Sequence, residues 1–169
     1  MRGYFGVGVE GISKSYNLGA VLRTSNAFGA SFTFTIGATH KALEIRRTDT
    51  SRSEDHMPFY EWDNVEDLIL PKNCQIVGVE LTEESINLPS FRHPTNCAYI
   101  LGPEKGSLSH AMQSRCDFLV KIPTKFCINV SLAAALTLYD RSIMMGGHPD
   151  RPVKIGGPDK NWQKPQNKR

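Results

Sequence analysis

The stretch that decides the fold runs from Tyr4 to Ile36. It opens with Tyr4-Phe-Gly-Val-Gly-Val-Glu10 and a polar loop from Gly11 to Tyr16. It continues with Asn17-Leu-Gly-Ala-Val-Leu-Arg23-Thr-Ser-Asn-Ala-Phe28-Gly29 and closes with Ser31-Phe-Thr-Phe-Thr-Ile36. The first segment is apolar, with glycines where a neighbouring backbone can pass closely, and reads as a strand. Asn17 is suited to cap a helix that runs to about Phe28, and Gly29 ends it. Ser31 to Ile36, rich in Phe, Thr and Ile, returns as a second strand. A strand–loop–helix–strand unit of this kind belongs in a parallel sheet. Within it, Arg23 follows Asn17 by six residues on a short apolar helix. Such a cation is costly there unless it faces a cleft or an anion, though an ordinary surface arginine fits the spacing as well.

Working outward, Phe59 to Trp62 reads as a short strand and Asn64 to Leu70 as a helical turn or two. Gln75 to Glu80, Cys97 to Leu101 and Phe118 to Ile122 are further strands, the last stopped by Pro123. Asn129 to about Met145 is a strong helix with two apolar stripes. One contains Val130, Ala134 and Leu138, and the other Leu132, Leu136, Tyr139 and Ile143. A helix apolar on two sides needs its own sheet and a second covering surface, which predicts a homodimer. Lys41 to Met57 is densely charged, with Arg46, Arg47 and Arg52 among Asp49, Glu54 and Asp55. It reads either as a substrate-facing loop or as a solvated segment.

The chain has 169 residues, 40% hydrophobic and 22% charged. That excludes a disordered polyelectrolyte and predicts one domain with a tail, divided as 1–147 and 148–169. The net charge of +3 is uneven. From Gly146 to Arg169, six Lys or Arg stand against two Asp, so the basic character sits in a proline-containing tail able to attract phosphates. Cys74, Cys97, Cys116 and Cys127 form no CxxC pair and no zinc-like spacing, and read as reduced thiols of a cytoplasmic protein. No apolar run reaches the length of a membrane span, and the carboxylates and histidines show no metal-like cluster.

Three spots follow strands, where open parallel sheets bind ligands. The first is Asn17 to Arg23. The second is Leu101-Gly102-Pro103-Glu104-Lys105-Gly106-Ser107-Leu108-Ser109, a turn suited to cradle a ligand, with Glu104 as an acceptor and Ser109 as a helix cap. It is not a phosphate loop, because the Gly-x-x-x-x-Gly-Lys-Ser/Thr pattern is absent. The third is Ile122-Pro123-Thr124-Lys125-Phe126-Cys127-Ile128-Asn129-Val130-Ser131, an apolar wall suited to a flat base, with Asn129 and Ser131 at a helix start. Cys127 is expected to be a packing thiol.

Together the three spots resemble, in order, the three motifs of the SpoU (TrmH-like) branch of the SPOUT RNA methyltransferases. Asn17-Leu18-Gly19-Ala20 with Arg23-Thr24 and Phe28-Gly29 resembles the first motif. Leu101 to Gly106 with Leu108-Ser109 resembles the second. Ile122-Pro123 with Asn129-Val130-Ser131, Ala133-Ala134 and Leu138-Tyr139 resembles the third. The resemblance implies a parallel α/β sheet with helices on both faces, a C-terminal trefoil knot and a homodimer. It also implies S-adenosyl-L-methionine as cofactor and 2′-O-ribose methylation of RNA, with tRNA preferred. The alternatives are a ribosomal RNA 2′-O-methyltransferase or a non-catalytic RNA-binding dimer. Asn17, Arg23, Glu104 and Asn129 are the implied catalytic residues. Val79, Glu80, Leu81, Leu101, Gly102, Gly106, Ile122, Ile128, Asn129 and Ser131 are the implied cofactor contacts. Lys14, Arg23, Arg46, Arg47 and the basic tail are candidate phosphate contacts. Cys127-Ile128 stands where the family's third motif often carries Ser-Leu, so a hydroxyl is replaced by a weaker donor.

Overall fold

Among the described residues, seven parallel strands make one sheet in the order Phe59–Trp62, Phe32–Ile36, Phe5–Glu10, Cys97–Leu101, Gln75–Val79, Phe118–Lys121, Ile86–Asn87. The computed structural model describes residues 3–42, 57–149, 151–153 and 155–156. The strands are β1 (Phe5–Glu10), β2 (Phe32–Ile36), β3 (Phe59–Trp62), β4 (Gln75–Val79), β5 (Ile86–Asn87), β6 (Cys97–Leu101) and β7 (Phe118–Lys121). Helices α1 (Ser15–Ala27), α2 (His110–Arg115) and α3 (Val130–Met145) are among those described, and a 3-10 turn covers Leu88–Ser90. Arg46, Arg47, Arg52 and most of the basic tail lie outside the described residues.

Alternation along the strands feeds two cores. Val7 and Val9 of β1, Val77 of β4, Tyr99 and Leu101 of β6 and Val120 of β7 face α1 and α3. Phe34 and Ile36 of β2, Ile76 of β4 and Ala98 and Ile100 of β6 face Met112 of α2 and the 64–70 turn. Helices therefore cover both faces, which lets the strands be nearly continuous apolar runs. The inner stripe of α3, Val130, Ala134 and Leu138, is buried. Leu138 alone contributes on the order of 2 kcal/mol by leaving water. The outer stripe keeps Leu132 at 58% and Tyr139 at 51% exposure.

The glycines of β1 make room for side chains rather than for backbone. A Cβ on Gly8 would lie 2.3 Å from Phe34 Cε2, and one on Gly6 equally close to Phe32. The two phenylalanine rings of β2 lie over β1, stacked with centroids 6.1 Å apart.

One local expectation is refined and one strand is added. Asn64 to Leu70 forms single turns that do not continue into a helix. Its i→i+3 bonds join Asp67 N–H to Asn64 O and Leu68 N–H to Val65 O. The Arg115 guanidinium also donates to the carbonyls of Val65 and Leu68, which ties these turns to α2. Strand β5 is two residues long and pairs Ile86 with Val120, an edge that sequence periodicity does not reveal.

The far end of α3 is fixed by Arg141, which is 6% exposed. Its guanidinium donates to the carbonyls of Pro94 and Thr95 and to the Tyr99 hydroxyl, and lies 5.0 Å from the Phe5 ring centroid. Five donors with this many partners make a buried cation tolerable. Beside it, burial pulls the His93 imidazole below its ordinary pKa against the opposing pull of Asp140.

Candidate functional site

The site begins with how α1 starts. The helix opens at Ser15, and Lys14 in the cap position makes no side-chain cap bond. A distant carboxylate does that work. Glu104 Oε1 accepts from Lys14 N–H at 2.9 Å, and Oε2 accepts from the Ser13 N–H and Oγ at 3.2 and 3.1 Å. An anion at a helix N-terminus meets both the free amides and the positive end of the dipole. Asn17 is therefore not the cap expected from the sequence. It is the third helical residue, 2% exposed, and its Nδ2 donates to Glu104 Oε1 at 3.2 Å.

Asn129 extends the chain of bonds. Its Nδ2 donates to Asn17 Oδ1 at 3.1 Å. Its own Oδ1 accepts from Ser131 N–H at 2.8 Å and Ser131 Oγ at 2.7 Å, which caps α3. Glu104, Asn17, Asn129 and Ser131 thus form one continuous hydrogen-bonded line joining three segments far apart in sequence. Burial disfavours ionised Glu104, but the amides of Ser13 and Lys14 and the Asn17 amide group outweigh it. They hold its carboxyl below the ordinary value of 4.5.

The turn that presents Glu104 is itself tethered. Glu80 Oε2 accepts from Leu108 N–H at 2.7 Å and Oε1 from Leu81 N–H at 3.1 Å. Glu10 Oε2 accepts from Ser109 N–H at 2.9 Å, and Ser109 Oγ caps α2 by accepting from Met112 N–H at 3.0 Å. Gly106, at φ +102°, makes a bend that a side chain would strain.

These segments enclose a cavity of about 310 Å³ beyond the carboxyl ends of β4, β6 and β7. Val79, Glu80, Leu81, Leu101, Gly102 and Gly106 line it on one side. Ile122, Ile128, Asn129, Asn17 and Glu104 complete the set of expected residues that it brings together. Ser131 is not a lining residue; it steadies Asn129. Arg23 is not one either. Six residues turn a helix by about 600°, so Arg23 leaves α1 about a third of a turn away from Asn17, and it is exposed.

Lys14, Pro103, Thr124, Cys127, Val130 and Ala133 also line the cavity. Cys127 is therefore no packing thiol; it is exposed at the cavity wall. The signal for Thr124 and Cys127 was their place in the Pro123–Ser131 loop. Ala133 was hidden because its helical face could be assigned only once α3 was docked.

The family model described as "SpoU rRNA Methylase family" matches residues 5–139. The chain belongs to this family. Membership of the SpoU family carries with it the C-terminal knot expected from the motifs. The curated 23S rRNA (guanosine-2'-O-)-methyltransferases RlmB of Coxiella burnetii and Acinetobacter baylyi are 28% and 27% identical over 141 and 151 residues. Each alignment covers 78% of this chain, which spans only 55% and 56% of those proteins. Among solved structures, the AdoMet-bound rRNA methyltransferase from Sinorhizobium meliloti superposes with a TM-score of 0.74 at 24% identity. It covers 86% of this chain and 58% of that one. The A. aeolicus TrmH/SpoU tRNA modifying enzyme gives 0.72 at 24%, covering 83% and 74%. These likenesses establish the SpoU fold. Among the described residues, no helix is long and apolar enough to cross a membrane. Among them, too, no group of three or more His, Cys, Asp or Glu is placed to hold a metal ion.

Proposed function

We propose that the chain is an S-adenosyl-L-methionine-dependent RNA 2′-O-ribose methyltransferase. The observation that carries this reading is the convergence of the three motif segments on one cavity, tied by the Glu104–Asn17–Asn129 line. The cavity fits the donor in kind. Val79, Leu81, Leu101, Ile122 and Ile128 offer apolar walls for a flat adenine, and the turn at Gly102 and Gly106 leaves backbone groups close to its space. When bound, the donor supplies a methyl group on a positively charged sulfur. Ionised Glu104 sets a negative charge on the wall beside it.

Asn17 and Asn129 fix the positions of α1 and α3 about the cavity, so that acceptor oxygen and donor meet in line, which supplies much of the rate in such transfers. Arg23 is the proposed contact for the RNA phosphate or for the ribose oxygen as negative charge develops on it. Because Arg23 leaves the helix away from this chain's own cavity, its action fits a dimer in which each copy serves its partner. The exposed α3 stripe of Leu132, Leu136, Tyr139 and Ile143 supports that homodimer. Residues 148–169 would add a basic tail that draws RNA by its phosphates, with Lys14, Arg46 and Arg47. The target is a tRNA or a ribosomal RNA. The preference for tRNA read from the sequence gains nothing from the relatives, whose names include both kinds of RNA. Four free thiols suit a cytoplasmic protein.

The test is transfer of labelled methyl from S-adenosylmethionine to tRNA and to ribosomal RNA fractions, beside calorimetry with S-adenosylhomocysteine. Arg23→Ala is expected to abolish transfer and leave homocysteine-analogue affinity within a few fold. Donor-product binding without transfer to either RNA would overturn the enzymatic reading and leave an RNA-binding dimer. A large loss of affinity in Arg23→Ala would refute the role given to that residue.

A further inference from the structure

Of the residues that line the cavity, two are acidic, Glu80 and Glu104, and one is basic, Lys14. Both carboxylates are engaged by this chain. Glu80 accepts from the amides of Leu81 and Leu108, and Glu104 from Ser13, Lys14 and Asn17. Lys14 joins that network only through its backbone. Its N–H donates to Glu104, and its carbonyl accepts from the N–H groups of Asn17 and Leu18 at 3.1 Å. Among the described residues its ammonium forms no ion pair. Lys14 is therefore a cation rooted at a fixed point on the cavity wall, with an exposed side chain and no counter-charge there.

The donor has the opposite arrangement of charge. S-adenosyl-L-methionine carries two positive centres, its sulfur and its α-ammonium, and one negative, its α-carboxylate. The cavity carries two carboxylates and one ammonium. Glu80 and Glu104 favour the positive centres and oppose the donor's carboxylate, since like charges repel strongly where water is partly excluded. That carboxylate needs a cation beside it, and Lys14 is the one basic residue on the wall. An adenine on the apolar walls leaves the amino-acid end for the polar corner, where Glu104 bonds Lys14 and Asn17. An RNA phosphate has less reason to come to Lys14, because it would approach the same two carboxylates.

We propose that the Lys14 ammonium pairs with the α-carboxylate of S-adenosyl-L-methionine and makes the cavity selective for a donor with an intact amino-acid end. The pairing rests on the functional reading given above. It gives Lys14 an anion inside the cavity in place of an RNA phosphate outside it.

The test measures calorimetric affinity of the full chain, without RNA, for S-adenosylmethionine and for its decarboxylated form. The second ligand keeps the sulfonium and the amine and lacks only the carboxylate. The parent is compared with Lys14→Met and Lys14→Arg. The bonds that place residue 14 belong to its backbone, so both variants keep the closed start of α1. The preference between ligands is a ratio within each protein, so a general loss of stability does not mimic the effect. A charge-assisted pair at a partly open site should give the parent a preference of roughly 5- to 50-fold for the intact donor. Lys14→Met should lose that preference by weakening the intact donor. It should not weaken the decarboxylated ligand, which is relieved of a like charge. Lys14→Arg should keep most of the preference. Anisotropy with a fluorescent single-stranded oligoribonucleotide should be the same in all three proteins. A parent that binds the two ligands equally overturns the pairing. So does a Lys14→Met that keeps the parent's preference, or one that loses only oligonucleotide binding, which would make Lys14 a phosphate contact. If the parent binds the donor but methylates no RNA, the enzymatic reading fails and the ligand preference still decides on Lys14. If it binds neither ligand, the donor reading fails and the pairing with it.

Discussion

Removing the Asn17 amide should uncouple the two helices that frame the cavity. In Asn17→Ala two hydrogen bonds vanish, Nδ2 to Glu104 Oε1 at 3.2 Å and Asn129 Nδ2 to Oδ1 at 3.1 Å. Each contributes about 1 kcal/mol net. Glu104 keeps its other three donors and Asn129 reaches water, so the penalty for stranded partners stays at the low end of its range. The buried position adds the loss of packing. The expected cost is about 2–3 kcal/mol, or a fall of roughly 4–12 °C in Tm for a chain of this size. Asn129→Ala should cost about 1–2 kcal/mol, because it loses the same bond and the α3 cap. The decisive quantity is the double-mutant cycle. The shared bond should appear as a coupling of about 1 kcal/mol in urea unfolding. S-adenosylhomocysteine affinity should fall in both single variants and little further in the double. Additivity within about 0.3 kcal/mol would refute the line of bonds as an energetic unit.

Three further outcomes follow from the geometry. Glu104 has a depressed carboxyl pKa, so its tether is fully present above the ordinary value of 4.5 and is lost as pH falls through the lower native value. Stability should therefore show a Glu104 component that disappears on acidification below about pH 4.5, and Glu104→Gln should flatten that part of a denaturation series; an unchanged slope would contradict it. Replacing Leu132 and Leu136 together by Glu should turn a particle of twice 18.8 kDa into one of 18.8 kDa in light scattering, and an unchanged mass would remove α3 from the interface. Gly8→Ala should cost about 1–3 kcal/mol in urea unfolding, since its Cβ would lie 2.3 Å from the Phe34 ring; parent-like stability would show that the ring gives way freely.

The sequence announced every strand but β5 because each of the others is a short run rich in apolar or aromatic residues bounded by glycine, proline or polar residues, and it announced α2 through the Ser109 cap. Asn64 to Leu70 stops at single i→i+3 turns, and a local pattern cannot show that Arg115, nearly fifty residues away, ties those turns down. Asn17 misled for a similar reason. An asparagine before an apolar run is a good cap, but the charge that closes α1 comes from Glu104. The three cavity segments were legible through their order and motif content. Which face each residue takes was not. Arg23 and Ser131 stand in motif positions yet lie off the cavity wall, and Cys127 reads as an interior thiol yet reaches the wall. Helical phase and loop path decide those placements, and both depend on docking against the sheet.

The sheet order has a consequence for how the protein is made. Strand β6 lies between β1 and β4, so the centre of the sheet closes only after residue 101 exists. The hydrogen-bonded line then waits for Glu104, Asn129 and Ser131 in turn, spans of 87 and 112 residues from Asn17. Contacts that distant are assembled late and slowly. A chain still on the ribosome, with Asn129 not yet emerged, has two strand ends and a capped helix but lacks one wall of the cavity. The cavity and the finished fold therefore arrive together, and a truncated product carries the arginine of the first motif without the cavity.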